Sequence, residues 1–226
     1  MTPLVSATLT WSATAVAVLY FVGQCRKPSG WLGRYVLQNM NARHGRVTDW
    51  GLGHVQIGKA FTILDVGCGG GRTIQKLAAA ASAGKVSGID YSVASVAQAR
   101  RTNREEIAQG RVDVQQGSVS RLPFPDATFD LVTAVETHYY WPHLADDLRE
   151  VRRVLKPGGT LVVIAETYQG STFSALLWPA MKLLRARYLT VDQHRDAFTT
   201  AGFADVTVSV ERLKGWICAT GRRAGP

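Results

Sequence analysis

Beyond about residue 55 the hydrophobic pattern switches repeatedly between two rhythms. Short apolar runs bounded by turn residues predict strands, and segments with apolar residues three and four apart predict helices. Residues 61–66 form an apolar run ending in glycines, as a strand buried on both faces does. Ile74, Leu77, Ala78 and Ala81 then recur at helical spacing up to Gly84, a natural stop. Residues 85–90 predict a second strand, Ser92 the cap of a helix running to about Ala108, and residues 111–116 a third strand. Residues 129–135 predict a fourth strand, followed by a helix with Leu144, Leu148, Val151 and Leu155 on one face. The turn Lys156-Pro157-Gly158-Gly159 leads into a fifth strand over 160–165. Thr190 and Gln193 predict a capping box for a helix closed by Gly202, and residues 206–211 and 216–220 predict a hairpin. This alternation predicts an α/β fold: a Rossmann-like, doubly wound sheet, mostly parallel with an antiparallel C-terminal edge hairpin, and helices on both faces.

The amino-terminal part breaks that rhythm. Residues 4–22 carry no charge, close to the roughly twenty needed for a helix to cross a bilayer, although Ser6, Thr8, Thr10, Ser12 and Thr14 dilute the run. Two readings stay open: a membrane anchor or interfacial helix, and a helix packed on the domain. Arg26 and Lys27 follow the apolar run, the reverse of a cleaved signal peptide; in the anchor reading they keep the rest of the chain in the cytoplasm. The chain divides into residues 1–24, the apolar helix; residues 25–54, a linker and cap helix with Leu32, Val36, Leu37 and Met40 at helical spacing; and residues 55–226, one α/β domain. A basic, amphipathic insertion at about 169–189 is expected to cover the site and also permits membrane contact.

The net charge of +9 would suit an acidic partner. Much of it sits in helix-like stretches, such as Arg100, Arg101 and Arg104, which reads first as a solvated face. Cys25, Cys68 and Cys218 form no C-x-x-C pair or zinc-like cluster, so neither a disulfide framework nor a metal site is expected, and a reducing compartment fits.

The chemistry concentrates in Asp65-Val66-Gly67-Cys68-Gly69-Gly70-Gly71, an acidic D-x-G-x-G-x-G loop between a strand and a helix. A nicotinamide fingerprint wants Gly or Ala at the last place of G-x-G-x-x-G; counted from Gly67 that place holds Arg72, and from Gly69 it holds Ile74. No Gly-Lys-Ser/Thr follows, which excludes a P-loop. Asp90 ends the second strand about twenty residues on, where a carboxylate can accept from both hydroxyls of a ribose; its alternative is a turn or helix-capping acid.

The loop, together with residues 122–126, 129–132 and 153–159, resembles the class I S-adenosylmethionine-dependent methyltransferases over roughly residues 60–170. The resemblance implies a methyl transfer with S-adenosyl-L-methionine as cofactor, held by Asp65, Gly67, Cys68, Gly69, Gly71, Asp90, Tyr91, Ser118, Val119 and Glu136. Ser118 departs from the acid that family members often carry to read the adenine amino group. At the end of the fourth strand, Glu136-Thr137-His138-Tyr139-Tyr140-Trp141-Pro142 lies where open α/β sheets bind their ligands. His138, Glu136 and Tyr139 are the catalytic candidates, the first two as bases, and the aromatic residues suit an apolar or cationic acceptor. Each also has a packing alternative. Glu166 and Tyr168, just past the fifth strand, share that geometric licence. The expected acceptor is small or lipophilic. An RNA or protein methyltransferase is the alternative kept open by the charge, although no N/D-P-P-Y/F stretch or nucleic-acid module is present; a non-catalytic nucleotide-binding module of the same fold is another.

Overall fold

The structure, a computed structural model, describes residues 44–172 and 174–225 together with Gly23, Gln24, Ser29, Gly30, Leu32, Gly33 and Tyr35. The apolar run over residues 4–22 and most of the 25–43 segment therefore lie outside the described residues. Among the described residues no helix is long and apolar enough to cross a membrane.

Seven strands form one sheet: β1 (Thr62–Val66), β2 (Lys85–Asp90), β3 (Val112–Gln116), β4 (Phe129–Val135), β5 (Leu155–Ala165), β6 (Phe203–Glu211) and β7 (Trp216–Arg223). Their order is β3-β2-β1-β4-β5-β7-β6. The first five run parallel, and β7 enters antiparallel between β5 and β6. The predicted Rossmann-like sheet and its antiparallel C-terminal hairpin are thus present. Helices α1 (Gly45–Leu52), α2 (Arg72–Ala80), α3 (Val93–Thr102), α4 (Arg104–Ala108), α5 (Leu144–Val154), α6 (Ser174–Leu183) and α7 (Val191–Thr200) connect and cover the strands.

Alternation along the strands builds two cores. Leu64 and Val66 of β1 join Val132 and Ala134 of β4 on the face covered by Leu148 and Val151 of α5 and Phe198 of α7. Ile63 joins Val162 and Ile164 of β5 on the other face, under Val47 of α1, Ile74 and Leu77 of α2 and Val96 of α3. Helix starts follow sequence signals: Ser92 Oγ accepts from Ser95 N–H at 3.3 Å, and Thr190 with Gln193 forms the predicted capping box. Acidic Asp146 and Asp147 open α5 while Arg152 and Arg153 close it, in line with the helix dipole.

Two predicted elements differ. The helix expected from Ser92 to about Ala108 breaks into α3 and α4 at Asn103. Asn103 is fully buried, and its Nδ2 donates to the carbonyls of Gly71 and Ala99, both at 2.9 Å, so a tertiary contact to the glycine loop interrupts a segment that periodicity alone would continue. The Lys156–Gly159 turn also lies inside β5 rather than before it. Leu155 pairs with Phe129 and Thr160 with Leu131, so the intervening residues bulge from a ladder that begins earlier.

The order of the strands fixes where a ligand can sit. From β1 the chain winds outward through β2 to β3, and β4 starts the opposite half, so the connections after β1 and β4 leave in different directions. The crevice this opens at the carboxyl ends of β1 and β4 is the usual ligand position of such sheets.

Candidate active site

A cleft of about 280 Å³ fills that crevice. Its floor is the loop after β1, residues 66–70; one wall is Ile89, Asp90 and Tyr91 at the end of β2, with Ser95 of α3. Gly117, Ser118 and Val119 close the end beyond β3, and Val135, Glu136, Thr137, Tyr140, Trp141 and Pro142 form the wall beyond β4. His44, Gly45 and Thr48, from α1 and the residue before it, face the α2 residues Arg72, Thr73 and Lys76 across the mouth.

Close approach explains the loop's composition. Gly67 has φ +72°, and a Cβ there would stand 2.4 Å from Thr137 Oγ1, so only glycine lets the two crossover connections pass each other. A Cβ at Gly69 would meet no atom within 4 Å, in open space at the cleft wall. The loop is held from beside: Gly67 and Cys68 N–H groups donate to the Ile89 carbonyl at 2.7 and 3.0 Å, and Gly69 N–H donates to Asp90 Oδ2 at 2.9 Å. Asp90 Oδ1 accepts from Ser92 N–H at 2.8 Å. Each oxygen keeps acceptor capacity for a ligand. Burial raises the Asp90 pKa, against the pull of these hydrogen bonds.

Of the candidate cofactor residues, Gly67, Cys68, Gly69, Asp90, Tyr91, Ser118, Val119 and Glu136 line the cleft. Asp65 and Gly71 do not. Asp65 lies beneath the loop, 1% exposed, where the register pairs it with Thr133 and that hydroxyl donates to its carboxylate at 2.7 Å. Burial pushes its pKa up to about 7, opposed by the Thr133 hydrogen bond and assisted by the charge of Asp90. Gly71 starts α2, with its carbonyl bound by Asn103. The Cys68 thiol is buried and pushed well above its ordinary value, so it is an inert wall rather than a nucleophile.

The three catalytic candidates separate. Glu136 faces the cleft with φ +59°, a strained conformation for a residue with a side chain and one that marks functional positions. Its carboxylate accepts from the Tyr139 hydroxyl and from the Glu166 backbone N–H. Burial pushes its pKa up to about 7 against these two hydrogen bonds. Tyr139 is buried behind Glu136 in a cluster with Tyr168, Met181 and Tyr188 and does not line the cleft.

His138 is 3% exposed and points into the protein, where its Nε2 lies 3.1 Å from Nε2 of His194. The two rings sit among Leu144, Leu148, Val163, Leu189 and Phe198. His194 Nδ1 lies 2.7 Å from the Thr190 carbonyl and must donate to it; its Nε2 then accepts, His138 Nε2 donates, and His138 Nδ1 is left without a partner. An imidazole so placed cannot reach a ligand in the cleft.

His44, Thr48, Thr137, Arg72 and Lys76 were not among the sequence candidates. Thr137 follows Glu136 directly, and Arg72 and Lys76 lie on α2, which leaves the glycine loop; His44 and Thr48 carry no motif and reach the cleft only because α1 packs against β5 and α2. His44 Nε2 stands 3.7 Å from Glu166 Oε2, and ligand atoms of His44, Glu136 and Glu166 lie within 4.8 Å of one another. Among the described residues this is the one His and carboxylate grouping that could offer ligands to a metal ion.

A doubly wound sheet with a glycine loop after β1 and a carboxylate ending β2 is an arrangement in which open α/β sheets commonly bind nucleosides. Comparison with known proteins shows what the chain is similar to. Residues 64–163 match the methyltransferase domain family. The chain is 33% identical over 118 residues to 27-O-demethylrifamycin SV methyltransferase of Amycolatopsis mediterranei, covering 52% of this chain and 43% of that one. It is 41% identical over 100 residues to 24-methylenesterol C-methyltransferase 2 of Oryza sativa subsp. japonica, covering 44% and 27%. The chain thus spans less than half the length of either relative. The methyltransferase solved in complex with the Haloferax volcanii Trm112 methyltransferase activator superposes with a TM-score of 0.72 at 21% identity, over 83% of this chain and 93% of that one. Over residues 64–163 the chain is thus similar to the methyltransferase domain family, the resemblance its loop suggested.

Proposed function

We propose that this chain transfers a methyl group from S-adenosyl-L-methionine to a small or lipophilic acceptor by in-line displacement. The observation that carries the reading is one continuous cleft with Asp90 and the glycine loop at one side and Glu136 at the other. The residues suit the cofactor: Asp90 keeps acceptor capacity for ribose hydroxyls, Val119 and Ser118 frame a flat ring, and the open space at Gly69 lets backbone approach a ligand. Asp65, when ionised, contributes negative potential from beneath the loop, and the cation of Arg72, beside the Lys76–Asp49 pair, suits a ligand carboxylate.

Held by Asp90 and the glycine loop, S-adenosyl-L-methionine would supply an electrophilic methyl whose bond to the positive sulfur would break as the bond to the acceptor formed. The protein's part is alignment and proton removal. Glu136 is the proposed base, taking the acceptor's proton onto its carboxylate, and its pKa of about 7 matches that task near neutrality. Tyr139 positions Glu136, and Tyr140, Trp141 and Pro142 offer the apolar wall for the acceptor. His138 is left out because of its burial. The rifamycin and sterol enzymes among the relatives are named for lipophilic acceptors, which supports the substrate class. A cytoplasmic location belongs to this reading.

Calorimetric titration with S-adenosyl-L-methionine tests the first half, and a radiolabelled-methyl screen over sterol, quinone, phenol, amine and RNA acceptors tests the second. Cofactor binding followed by label transfer only to RNA or protein would replace the acceptor class; no binding of the cofactor would overturn the assignment.

A further inference from the structure

We propose that α6 and the turn between β6 and β7 form a docking face for an anionic lipid bilayer. The inference goes beyond methyl transfer, since it concerns where the protein sits rather than what it converts.

Helix α6 is apolar on both sides. Inward, Met181 is buried with Tyr139, Tyr168 and Tyr188. Outward, Leu176 is 78% and Leu183 47% exposed; seven residues apart, they share one face, with Ala175 and Pro179 also exposed. Trp178, two residues on from Leu176 and so on the other side of the helix, is 47% exposed with its ring 6.2 Å from that of Tyr188; it borders the apolar face with an amphipathic aromatic of the kind that favours the headgroup level. The β6–β7 turn carries a second apolar point, Leu213, 85% exposed. That turn is fastened beside the start of α6: Thr172 Oγ1 donates to the Arg212 carbonyl at 2.9 Å, and Gly215 abuts Ser171.

Charge selects the occupant. Residues 167–190 contain no Asp or Glu. Lys182, Arg185, Arg187, Arg212 and Lys214 are all exposed, and none of them enters an ion pair among the described residues. Elsewhere among the described residues some surface cations are matched, as in Arg149–Asp146, Arg153–Asp126, Lys156–Asp130 and Arg195–Asp192, and others such as Lys59, Lys85 and Arg121 are not; what sets this region apart is five exposed cations beside a segment without an acid. Exposed Leu and Trp framed by cations without acidic partners, Lys214 lying 4.5 Å over the Trp216 ring, is the pattern of an interfacial region on anionic lipid, in which apolar burial and headgroup attraction add. A second copy of this chain would present the same cations and repel. The inner face of α6 also packs on Tyr139, whose hydroxyl holds Glu136, so the docking face and the cleft share one aromatic cluster.

The test uses the full chain with Cys25→Ser, in which the remaining cysteines, Cys68 and Cys218, are buried. A polarity-sensitive fluorophore is attached through Leu176→Cys, through Leu213→Cys or, as a remote control, through Glu105→Cys. On vesicles of phosphatidylcholine with 30% phosphatidylglycerol, fluorescence is expected to rise and shift blue at 176 and 213 but not at 105. Flotation of a Lys182→Glu/Arg185→Glu/Lys214→Glu chain is expected to show at least tenfold weaker binding, and 0.5 M salt the same loss. Equal responses at all three sites, binding unchanged by charge reversal, or a vesicle-independent response that grows with protein concentration would each overturn the proposal. The last outcome would assign the face to self-association.

Discussion

Asp90 accepts a hydrogen bond from the backbone N–H of Gly69 at 2.9 Å, so the carboxylate offered to a ribose also fixes the loop that a nucleoside would approach. Asp90→Ala removes both functions at once. Its cofactor affinity is expected to fall more than tenfold, about 1.4 kcal/mol or greater, in calorimetric titration. Asp90→Asn retains one carbonyl oxygen and should fall between the two. An Asp90→Ala chain that binds S-adenosyl-L-methionine as the parent does would remove the ribose assignment.

Gly71 is expected to be far less replaceable than Gly69 for stability. Its φ is +82°, and a Cβ would stand 2.6 Å from Asn103 Nδ2 and 2.7 Å from the Ala99 backbone. A left-handed alanine costs roughly 1–2 kcal/mol, and crowding a packed site adds about 1–3 kcal/mol. Thermal unfolding of Gly71→Ala should therefore show a loss on the order of 3 kcal/mol. At Gly69, where a Cβ meets nothing, Gly69→Ala should cost little beyond backbone strain while weakening cofactor binding. Equal stability losses at the two positions would contradict this division.

Those two glycines look alike in the sequence, which illustrates where sequence reading stops. The period of the apolar residues carried the strands and helices because burial on two faces leaves a local trace, as in residues 61–66. The glycine loop and Asp90, which the fold brings to one cleft, stand out in the sequence because chain turning and the proposed nucleoside binding require particular residue types at fixed spacing. Contacts between distant segments leave no such trace. Nothing near Asn103 announces that it will cap the Gly71 carbonyl from 32 residues away, and nothing near His44 or Thr48 announces the cleft. The Glu136-to-Pro142 stretch was found as a unit, but its neighbours turn opposite ways: Glu136 into the cleft, His138 into the core. A two-residue step along an irregular turn decides which, and no pattern in the chain encodes that turn.

The buried pair His138 and His194 should make the fold acid-sensitive. Burial lowers both pKa values, most strongly that of His138, where the neighbouring His194 adds to the effect. In the unfolded chain both titrate near 6.5, so on acidification the unfolded state takes up protons that the folded state refuses. The stability is fully present above pH 6.5 and is lost as pH falls below it. Chemical denaturation from pH 7.5 to 5 should show this decline, and His138→Leu should flatten it by removing one of the two groups. A parent whose stability is level over that range would mean that the imidazoles accept protons in the folded state.

Tyr139 offers the sharpest check on the proposed base. Its hydroxyl donates to Glu136, and a hydrogen bond to a carboxylate favours the charged form, holding the pKa below the value that burial alone would set. Activity that needs ionised Glu136 should rise with pH along a limb near 7, because the group must lose its proton to act. Tyr139→Phe removes the donor without removing the ring, so the limb should move to higher pH while the plateau rate stays within a few fold. Glu136→Gln should abolish the limb and most of the rate together. A Tyr139→Phe chain that keeps the parent's pH profile but loses rate at every pH would show that the tyrosine serves packing alone; a Glu136→Gln chain of full activity would send the search for the base to Glu166 and His44, the other titratable groups beside it.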